Sequence, residues 1–198
     1  VDPSVNLSMN AATFLTHHDG VYDLGTGATV DADFLQALQG VTILYDASGT
    51  FSAPSLVEFT SGAIALTPQT TFATGVLTNV DGSRIAVSGG RAWGVATGEL
   101  SAATYSSIPV GTGGFSGTKN VDLFQADGAG SSLDLASFTS FDAGFNDSDG
   151  DPQHHRVIAT AGGAIDLRNV ASVNAPHRGE DSVRFIVDPN SQINLDGL

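Results

Sequence analysis

Acidic residues alternate with other polar residues in the stretch FNDSDGDPQHHR, residues 145–156. Calcium takes about six to eight oxygen ligands, and alternating carboxylates converge on the ion when the backbone curls. The stretch departs from an EF-hand loop at two ligand positions, because placing Gly150 at the glycine position puts Phe145 first and Arg156 twelfth. We therefore predict a less regular site with calcium as its cofactor. The expected ligands are Asn146, Asp147, Asp149 and Asp151, with Asp142 and Asp181 as further donors.

Histidines occur as two adjacent pairs, His17 with His18 and His154 with His155. Neighbouring residues of a strand point to opposite faces, so such a pair rarely supplies two ligands to one zinc ion. We do not predict a zinc site.

Two arginines have the same position relative to the repeats described below. Arg156 and Arg184 each precede an apolar tripeptide by nine residues, which predicts that they stack on adjacent turns. Arginine offers planar paired donors for the carboxylate or sulfate groups of an acidic polysaccharide. The ligand-binding residues expected here are Arg156, Arg184, His154 and His155, with His177 nearby. The alternative is that the arginines balance neighbouring aspartates.

The only tryptophan, Trp93, follows Arg91 in the glycine-flanked segment GGRAWGVATG, and Tyr105 is the next aromatic residue. Exposed rings stack on the flat apolar faces of sugars, so Trp93, Arg91 and Tyr105 are further candidate ligand-binding residues. An aromatic ring at a turn also serves to cover the edge of a core. Exposure of these three residues on one face would favour sugar binding, and their burial would favour a purely structural role.

No residue is predicted to be catalytic. Asp134 and Asp166 occupy equivalent positions in neighbouring repeats and resemble the carboxylate pair of a glycoside hydrolase. Stacked neighbours would lie about 5 Å apart on an open surface without the walls of a substrate groove. Arg168, two residues after Asp166, is expected to pair with it instead.

The composition limits which elements can position these side chains. The 198 residues include 24 glycines and only 14% charged residues, compared with roughly 25% in an ordinary domain. The formal charge of −14 argues against nucleic acid and anionic membranes as partners. There is no cysteine, no apolar run long enough to span a membrane and no signal-peptide pattern. The length favours one domain covering residues 1–198.

An apolar–variable–apolar tripeptide recurs along the chain. The first four copies follow one another at intervals of 21 residues, and later copies are spaced more widely. Because the first and third residues share one face of a strand, the copies predict two inward apolar columns. The tripeptides are YDL at 22, ILY at 43, IAL at 64, IAV at 85, IPV at 108, LDL at 133, IDL at 165 and INL at 193.

These columns predict an all-β fold, a right-handed parallel β-helix of about seven to eight turns with a period near 21 residues and insertions in the later turns. A leucine-rich repeat would need a recurring Asn or Cys after the strand, which is missing. A β-sandwich would not place eight copies of one tripeptide in register. Residues 1–19 are expected to form an N-terminal cap or linker, and residues 142–156 an inserted loop.

The units GSSLDLASFTSF, GGAIDLRNVASV and NSQINLDGL resemble repeats of large secreted bacterial proteins whose β-helices belong to the pectate-lyase-like group. The resemblance covers most of residues 20–198 and implies the fold and a secreted or cell-surface location. That group includes polysaccharide lyases, glycoside hydrolases, adhesin stalks and carbohydrate-binding modules. The resemblance therefore transfers no catalytic residue.

The expected function is non-catalytic binding of an extracellular polysaccharide by a module of a larger secreted protein, with flanking domains of that protein as further partners. A structural stalk or adhesin segment is the first alternative. A polysaccharide lyase or glycoside hydrolase is the second.

Overall fold

The computed structural model describes residues 6–108, 118–145 and 151–198. Strands dominate these residues, and the helical structure among them is one 3₁₀ turn, Val95–Thr97. Within the described ranges no helix is long and apolar enough to cross a membrane. The strands in chain order are β1 (Asn6–Ser8), β2 (Thr16–Leu24), β3 (Ala28–Asp31), β4 (Ala37–Tyr45), β5 (Gly49–Ala53), β6 (Glu58–Thr60), β7 (Ala63–Leu66), β8 (Thr70–Thr74), β9 (Arg84–Ser88), β10 (Ala92–Gly94), β11 (Thr104–Ser106), β12 (Lys119–Asp127), β13 (Ser132–Asp134), β14 (Ser140–Asp142), β15 (Gln153–Thr160), β16 (Ala164–Asp166), β17 (Val173–Asn174), β18 (Ser182–Val187) and β19 (Gln192–Asn194).

The strands form four sheets in which every described pairing is parallel. The long sheet has the order β18-β15-β12-β9-β7-β4-β2, with β6 also paired to β4. The first short sheet is β1-β3-β5-β8, the second is β10-β13-β16-β19 and the third is β11-β14-β17. The prediction of an all-β chain with parallel strands is therefore confirmed.

The long sheet confirms the early repeat period. Tyr22, Ile43, Ile64 and Ile85 are direct partners on successive strands, and all four side chains are buried. On each strand the residue that follows the column residue points outward, because side chains alternate along a strand. The interval of 21 residues thus equals one step across the sheet.

After Ile85 the predicted register is wrong. The next partner of Ile85 is Phe124, followed by Val157 and Phe185, whereas Ile108 is 43% exposed. The tripeptides at 133, 165 and 193 pair with one another in the second short sheet, where β10 precedes them. An apolar–variable–apolar pattern arises in any strand with one buried face, so it does not identify the sheet to which a strand belongs.

Strands extend into two of the predicted segments. Residues 1–19 contribute β1 and the start of β2, so they are not simply a cap or linker. The inserted loop was predicted to run from 142 to 156, but β14 includes Asp142 and β15 begins at Gln153. The last four residues of the predicted loop therefore belong to a strand.

Aromatic residues fill the core of the C-terminal half. The ring centroids of Tyr105 and Phe124 lie 4.8 Å apart, and those of Tyr105 and Phe141 lie 5.3 Å apart. Phe138 stacks on Tyr105 at 5.9 Å. Each of these side chains is almost fully buried, so the cluster joins the long sheet to the third short sheet.

Serine hydroxyls connect neighbouring periods at the corners between sheets. In each case a glycine N–H donates to the serine Oγ of a later period, at 2.9–3.1 Å. Ser83 is fully buried, and its hydroxyl also donates to the Phe59 carbonyl at 2.6 Å. The four pairs are Gly27 with Ser48, Gly62 with Ser83, Gly90 with Ser131 and Gly162 with Ser191.

Replacing Ser83 by alanine should lower the free energy of unfolding by about 1–3 kcal/mol, because the buried Gly62 N–H and Phe59 carbonyl both lose their partner. Urea denaturation measures the loss. Ser48→Ala is the matched control, since the Gly27–Ser48 bond lies at the surface, where water replaces the hydroxyl. Equal losses in the two variants would contradict the corner assignment.

Candidate functional site

The outer face of the long sheet carries the side chains that packing leaves available. Each buried column residue is followed along its strand by a residue that points outward. These residues are Asp23, Leu44, Ala65 and Ala86. Leu44 is 47% exposed, which is unusual for a leucine in the middle of a strand. The two alanines leave a depression beside it.

This depression is a groove of about 450 Å³ across β4, β7 and β9. Its floor is apolar, formed by Leu44, Ala65 and Ala86. Tyr45 lines one side, where its hydroxyl donates to the Thr71 carbonyl at 2.8 Å. Burial raises the pKa of Tyr45, opposed by Arg91, so the phenol is a neutral donor. Arg84, Asn120 and Asp122 also line the groove.

A row of charged side chains continues from the groove along the same face. Asp122, Arg156 and Arg184 are direct partners on β12, β15 and β18, and we call these three residues the charged ladder. Arg156 Nε donates to the Asp122 carboxylate in an ion pair. The predicted stacking of Arg156 and Arg184 on adjacent strands is confirmed. The ion pair also agrees with the alternative for Arg156, in which the arginine balances a neighbouring aspartate.

His154 ties Arg184 to the sheet. Arg184 Nη2 donates to His154 Nε2 at 2.8 Å, and His154 Nδ1 lies 2.8 Å from Ser182 Oγ. Because arginine only donates, Nε2 accepts, and the proton of the neutral imidazole sits on Nδ1. The imidazole therefore donates to Ser182, which is the reverse of the arrangement that activates a serine nucleophile.

The pKa of His154 is lowered, first by its burial and then by the positive charge of Arg184, while Asp181 opposes the shift. The neutral imidazole is thus favoured in the folded protein. His155, the next residue along β15, points to the opposite face, is fully buried and has its Nδ1 3.2 Å from the Ala143 carbonyl. The two imidazoles of this pair therefore lie on opposite faces of β15.

The predicted aromatic ligands are buried. Trp93 is 1% exposed and pairs with Leu133, and Tyr105 is fully buried with its hydroxyl donating to the Ser83 carbonyl at 3.0 Å. Neither ring can stack on a sugar in this structure, and of the two interpretations left open for these rings their burial favours the structural one. Only Arg91 of the three is partly exposed.

A second column explains the burial of Trp93. Val30, Phe51 and Phe72 are direct partners in the first short sheet, and Trp93 follows at the same interval of 21 residues. β8 and β10 belong to different sheets, but Trp93 is buried like the residues of this column. This spacing was available in the sequence and identifies Trp93 as a core residue.

Two charged groups on either side of β10, Arg91 and Glu99, are poorly paired. Among the described residues, the buried Arg91 Nε and Glu99 Oε2 atoms have no hydrogen-bond partner. Burial raises the pKa of Glu99, against the lowering effects of backbone hydrogen bonds and of Arg91. The two side chains therefore interact through charge without forming a close ion pair.

Three of the predicted calcium ligands, Asn146, Asp147 and Asp149, lie outside the described residues. Asp151 lies two residues before β15. In the part of the chain that the structure describes, no group of three or more Asp, Glu, His or Cys residues is arranged to hold a metal.

The two further donors have defined roles. Asp142 Oδ1 accepts from the Gly144 N–H at 2.9 Å, which closes a turn. Asp181 Oδ1 accepts from the Gln153 N–H at 2.8 Å, so Asp181 does approach the end of the predicted loop. Asp181 Oδ2 and Gln153 Oε1 are buried oxygens without a partner among the described residues.

The stacked polar side chains of the second short sheet have a structural role. Asp134, Asp166 and Asn194 are direct partners, and each accepts a backbone N–H from two residues later at 3.0 Å. Arg168 Nε donates to Asp166 at 2.7 Å, which confirms the predicted pairing. Burial acts to raise the pKa of Asp166, but the hydrogen bonds from Arg168 lower it overall.

The sequence prediction missed Arg84, Asp122 and the groove. The small residues Ala65 and Ala86 at outward positions, next to Leu44, are a sequence signal for a depression. The Asp122–Arg156 pairing spans 34 residues and has no local signal. Comparisons of the chain with protein-family models, curated proteins and solved structures give no match.

The neutral state of His154 makes the free energy of unfolding depend on pH, and the sign of this dependence follows from the pKa shift. Its folded-state pKa lies below the unfolded value of about 6.5, so on acidification the unfolded chain takes up a proton first. Stability should fall as the pH drops through the unfolded value and level off below the folded one. His154→Gln should lose less unfolding free energy than the wild type between about pH 7.5 and 5.5. Urea titrations test this, and parallel losses would refute the assignment.

Proposed function

We propose that the four sheets are the faces of one right-handed parallel β-helix. From β10 onward the chain visits the second short, third short and long sheets in the same order three times, ending at β18. In the N-terminal half it alternates between the first short sheet and the long sheet. Parallel crossover connections are right-handed in nearly all proteins, which supports the proposed hand.

We further propose that this module binds an extracellular polysaccharide without cleaving it. The observation that carries the proposal is the register of Arg156 and Arg184 on adjacent strands, beside an apolar groove on the same face. Adjacent strands are about 4.8 Å apart, so the two guanidinium groups can engage neighbouring anionic groups of one extended chain. The groove supplies an apolar surface for the sugar rings next to them.

The acidic ligand must be reconciled with a chain of formal charge −14. Exposed charges are largely screened beyond about 8–10 Å at physiological salt, so the local arginines outweigh distant carboxylates. Calcium is the proposed cofactor. The buried Asp181 Oδ2 and Gln153 Oε1 atoms support this, since these oxygens lie at the end of the acidic stretch and have no hydrogen-bond partner among the residues that the structure describes.

A secreted or cell-surface location within a larger protein, with flanking domains as partners, belongs to the same proposal. It is supported by the resemblance of the repeats and by the low content of charged residues.

A structural stalk or adhesin segment is the second candidate, and the burial of Trp93 and Tyr105 favours it. In that case the charged ladder would only stabilise the sheet surface, where an exposed ion pair contributes little. A lyase or hydrolase has less support, because Asp134 and Asp166 are engaged in turns and in the Arg168 pair.

Affinity electrophoresis in gels containing polygalacturonate, a sulfated carrageenan or neutral dextran separates these candidates. We expect retardation by an anionic polymer, weakened at least about tenfold in affinity in Arg156→Gln/Arg184→Gln. Arg168→Gln is the matched control, because that arginine is exposed and paired with Asp166 on another sheet.

The outcomes of this experiment distinguish the candidate functions and test the cofactor. Retardation that EDTA abolishes would support calcium as a cofactor. Absence of retardation by any polymer would refute binding and leave the structural role, and shortening of the polymer would identify an enzyme.

A further inference from the structure

Outward side chains form three rows that run across the strands of the long sheet. The central row contains no charged residue. Its members after the groove are Gln125, the direct partner of Ala86, then Ile158 and Ile186 on the next two strands. The row therefore extends the groove floor from β9 to β18, and five steps of about 4.8 Å give it a length of about 24 Å. The central row consists of Leu44, Ala65, Ala86, Gln125, Ile158 and Ile186.

The two ends of the central row carry its largest exposed side chains. Leu44 is 47% exposed and Ile186 is 37% exposed. A ligand that reached both ends would remove apolar surface from water at each of them. A compact ligand held in the groove alone would reach only Leu44, so the row favours a long ligand.

The row on one side is cationic. Two residues before the central row on β9, β15 and β18 lie Arg84, Arg156 and Arg184. Asp122 on β12 belongs to the same row and is paired with Arg156. Arg84 is exposed and takes part in no ion pair within the described part of the chain. This row therefore attracts anionic groups from β9 to β18.

The row on the other side is acidic. Two residues after the central row lie Asp46, Asp127 and Asp188, and the other members of this row are uncharged. The N–H groups of Asp46 and Asp188 continue the sheet pairing beyond their strands, at 3.0 and 3.3 Å, so both side chains start from outward positions. Carboxylates repel anionic groups and accept hydrogen bonds from hydroxyl groups.

The distance between the two charged rows determines the orientation of a ligand. Four residues along a strand separate the rows, which is about 13 Å at about 3.3 Å per residue. Charges are screened beyond about 8 Å at physiological ionic strength, so each edge of a ligand interacts mainly with the row beside it. An anionic chain lying along a strand would reach both rows. A chain lying along the central row can keep all its anionic groups beside the arginines.

We propose that the ligand is an extended polysaccharide that lies along the central row, with acidic groups on the edge facing Arg84, Arg156 and Arg184 and hydroxyl groups on the other edge. This inference rests on the proposed polysaccharide binding, to which it adds Arg84, the chain orientation and the charge distribution. In an extended chain with a two-fold repeat, successive sugars present opposite edges to the same side. The ligand class is therefore a polysaccharide in which acidic and neutral sugars alternate.

A second copy of this protein is a poorer occupant of the same surface. Each copy carries a formal charge of −14, so two copies repel each other. A polysaccharide with charge on one edge meets the acidic row with neutral hydroxyl groups and avoids this repulsion.

Affinity electrophoresis in a carrageenan with one sulfate on every second sugar tests the length and position of the site. Arg84→Gln and Leu44→Glu should each weaken binding at least about fivefold, although both lie outside the charged ladder. Arg168→Gln and Val76→Glu are the matched controls, because Val76 is 49% exposed and lies outside the long sheet. Circular dichroism checks folding, and Arg84→Gln changes only an exposed side chain if Leu44→Glu does not fold.

A change in the acidic row tests the charge distribution. Polygalacturonate carries a carboxylate on every sugar, so an extended chain of it presents acids to both rows. Asp46→Arg should therefore strengthen binding to polygalacturonate at least about fivefold and alter binding to the carrageenan much less. An equal gain for the two polymers would overturn the assignment of the acidic groups to one edge.

The remaining outcomes separate this inference from the function on which it rests. If Arg156→Gln/Arg184→Gln loses affinity while Arg84→Gln and Leu44→Glu bind like the wild type, the inference is wrong and polysaccharide binding stands. If no polymer retards the wild type, both are wrong. Sedimentation velocity without polymer covers the other occupant, because a dimer that Leu44→Glu dissociates would assign the central row to a second copy.

Discussion

Parallel pairing between strands one period apart is the constraint on which the rest of the structure depends. Each strand keeps one face inward, so Tyr22, Ile43, Ile64 and Ile85 form a continuous buried column. Corner hydroxyls such as that of Ser83 satisfy backbone groups that the sheets leave unpaired. Only outward positions remain for ligands, which places every candidate function on the outward faces of the sheets.

The sequence predicts this constraint well where the period is constant and poorly where it changes. Intervals of 21 residues locate the first four strands of the column, but Phe124 follows Ile85 after almost two such intervals. The tripeptide at Ile108 matches the pattern and is not part of the column, because any half-buried strand has the same alternation. Long-range register is set by which strands meet, and composition carries no record of that.

The sequence likewise predicts some residues of the candidate site and misses others. The equal offsets of Arg156 and Arg184 correctly predict that they are neighbours, because both precede a repeat unit by the same number of residues. The partner of Arg156, Asp122, lies on a different repeat and has no sequence signal. The sequence left Trp93 open between an exposed ligand and a core residue, although its interval from Phe72 marks it as a core residue. What the surface can bind is thus decided by the outward ladder, with the large aromatics used for packing.

The register that follows Ile85 is the central claim, and disulfide trapping tests it most directly. The chain has no cysteine, so Ala86→Cys/Gln125→Cys supplies the only pair. These residues are direct partners on β9 and β12, so mild oxidation should crosslink them within the folded monomer. Ala65→Cys/Gln125→Cys joins residues two strands apart on the same sheet, on either side of Ala86, and should stay reduced. Rapid crosslinking of the second pair and none of the first would contradict the account.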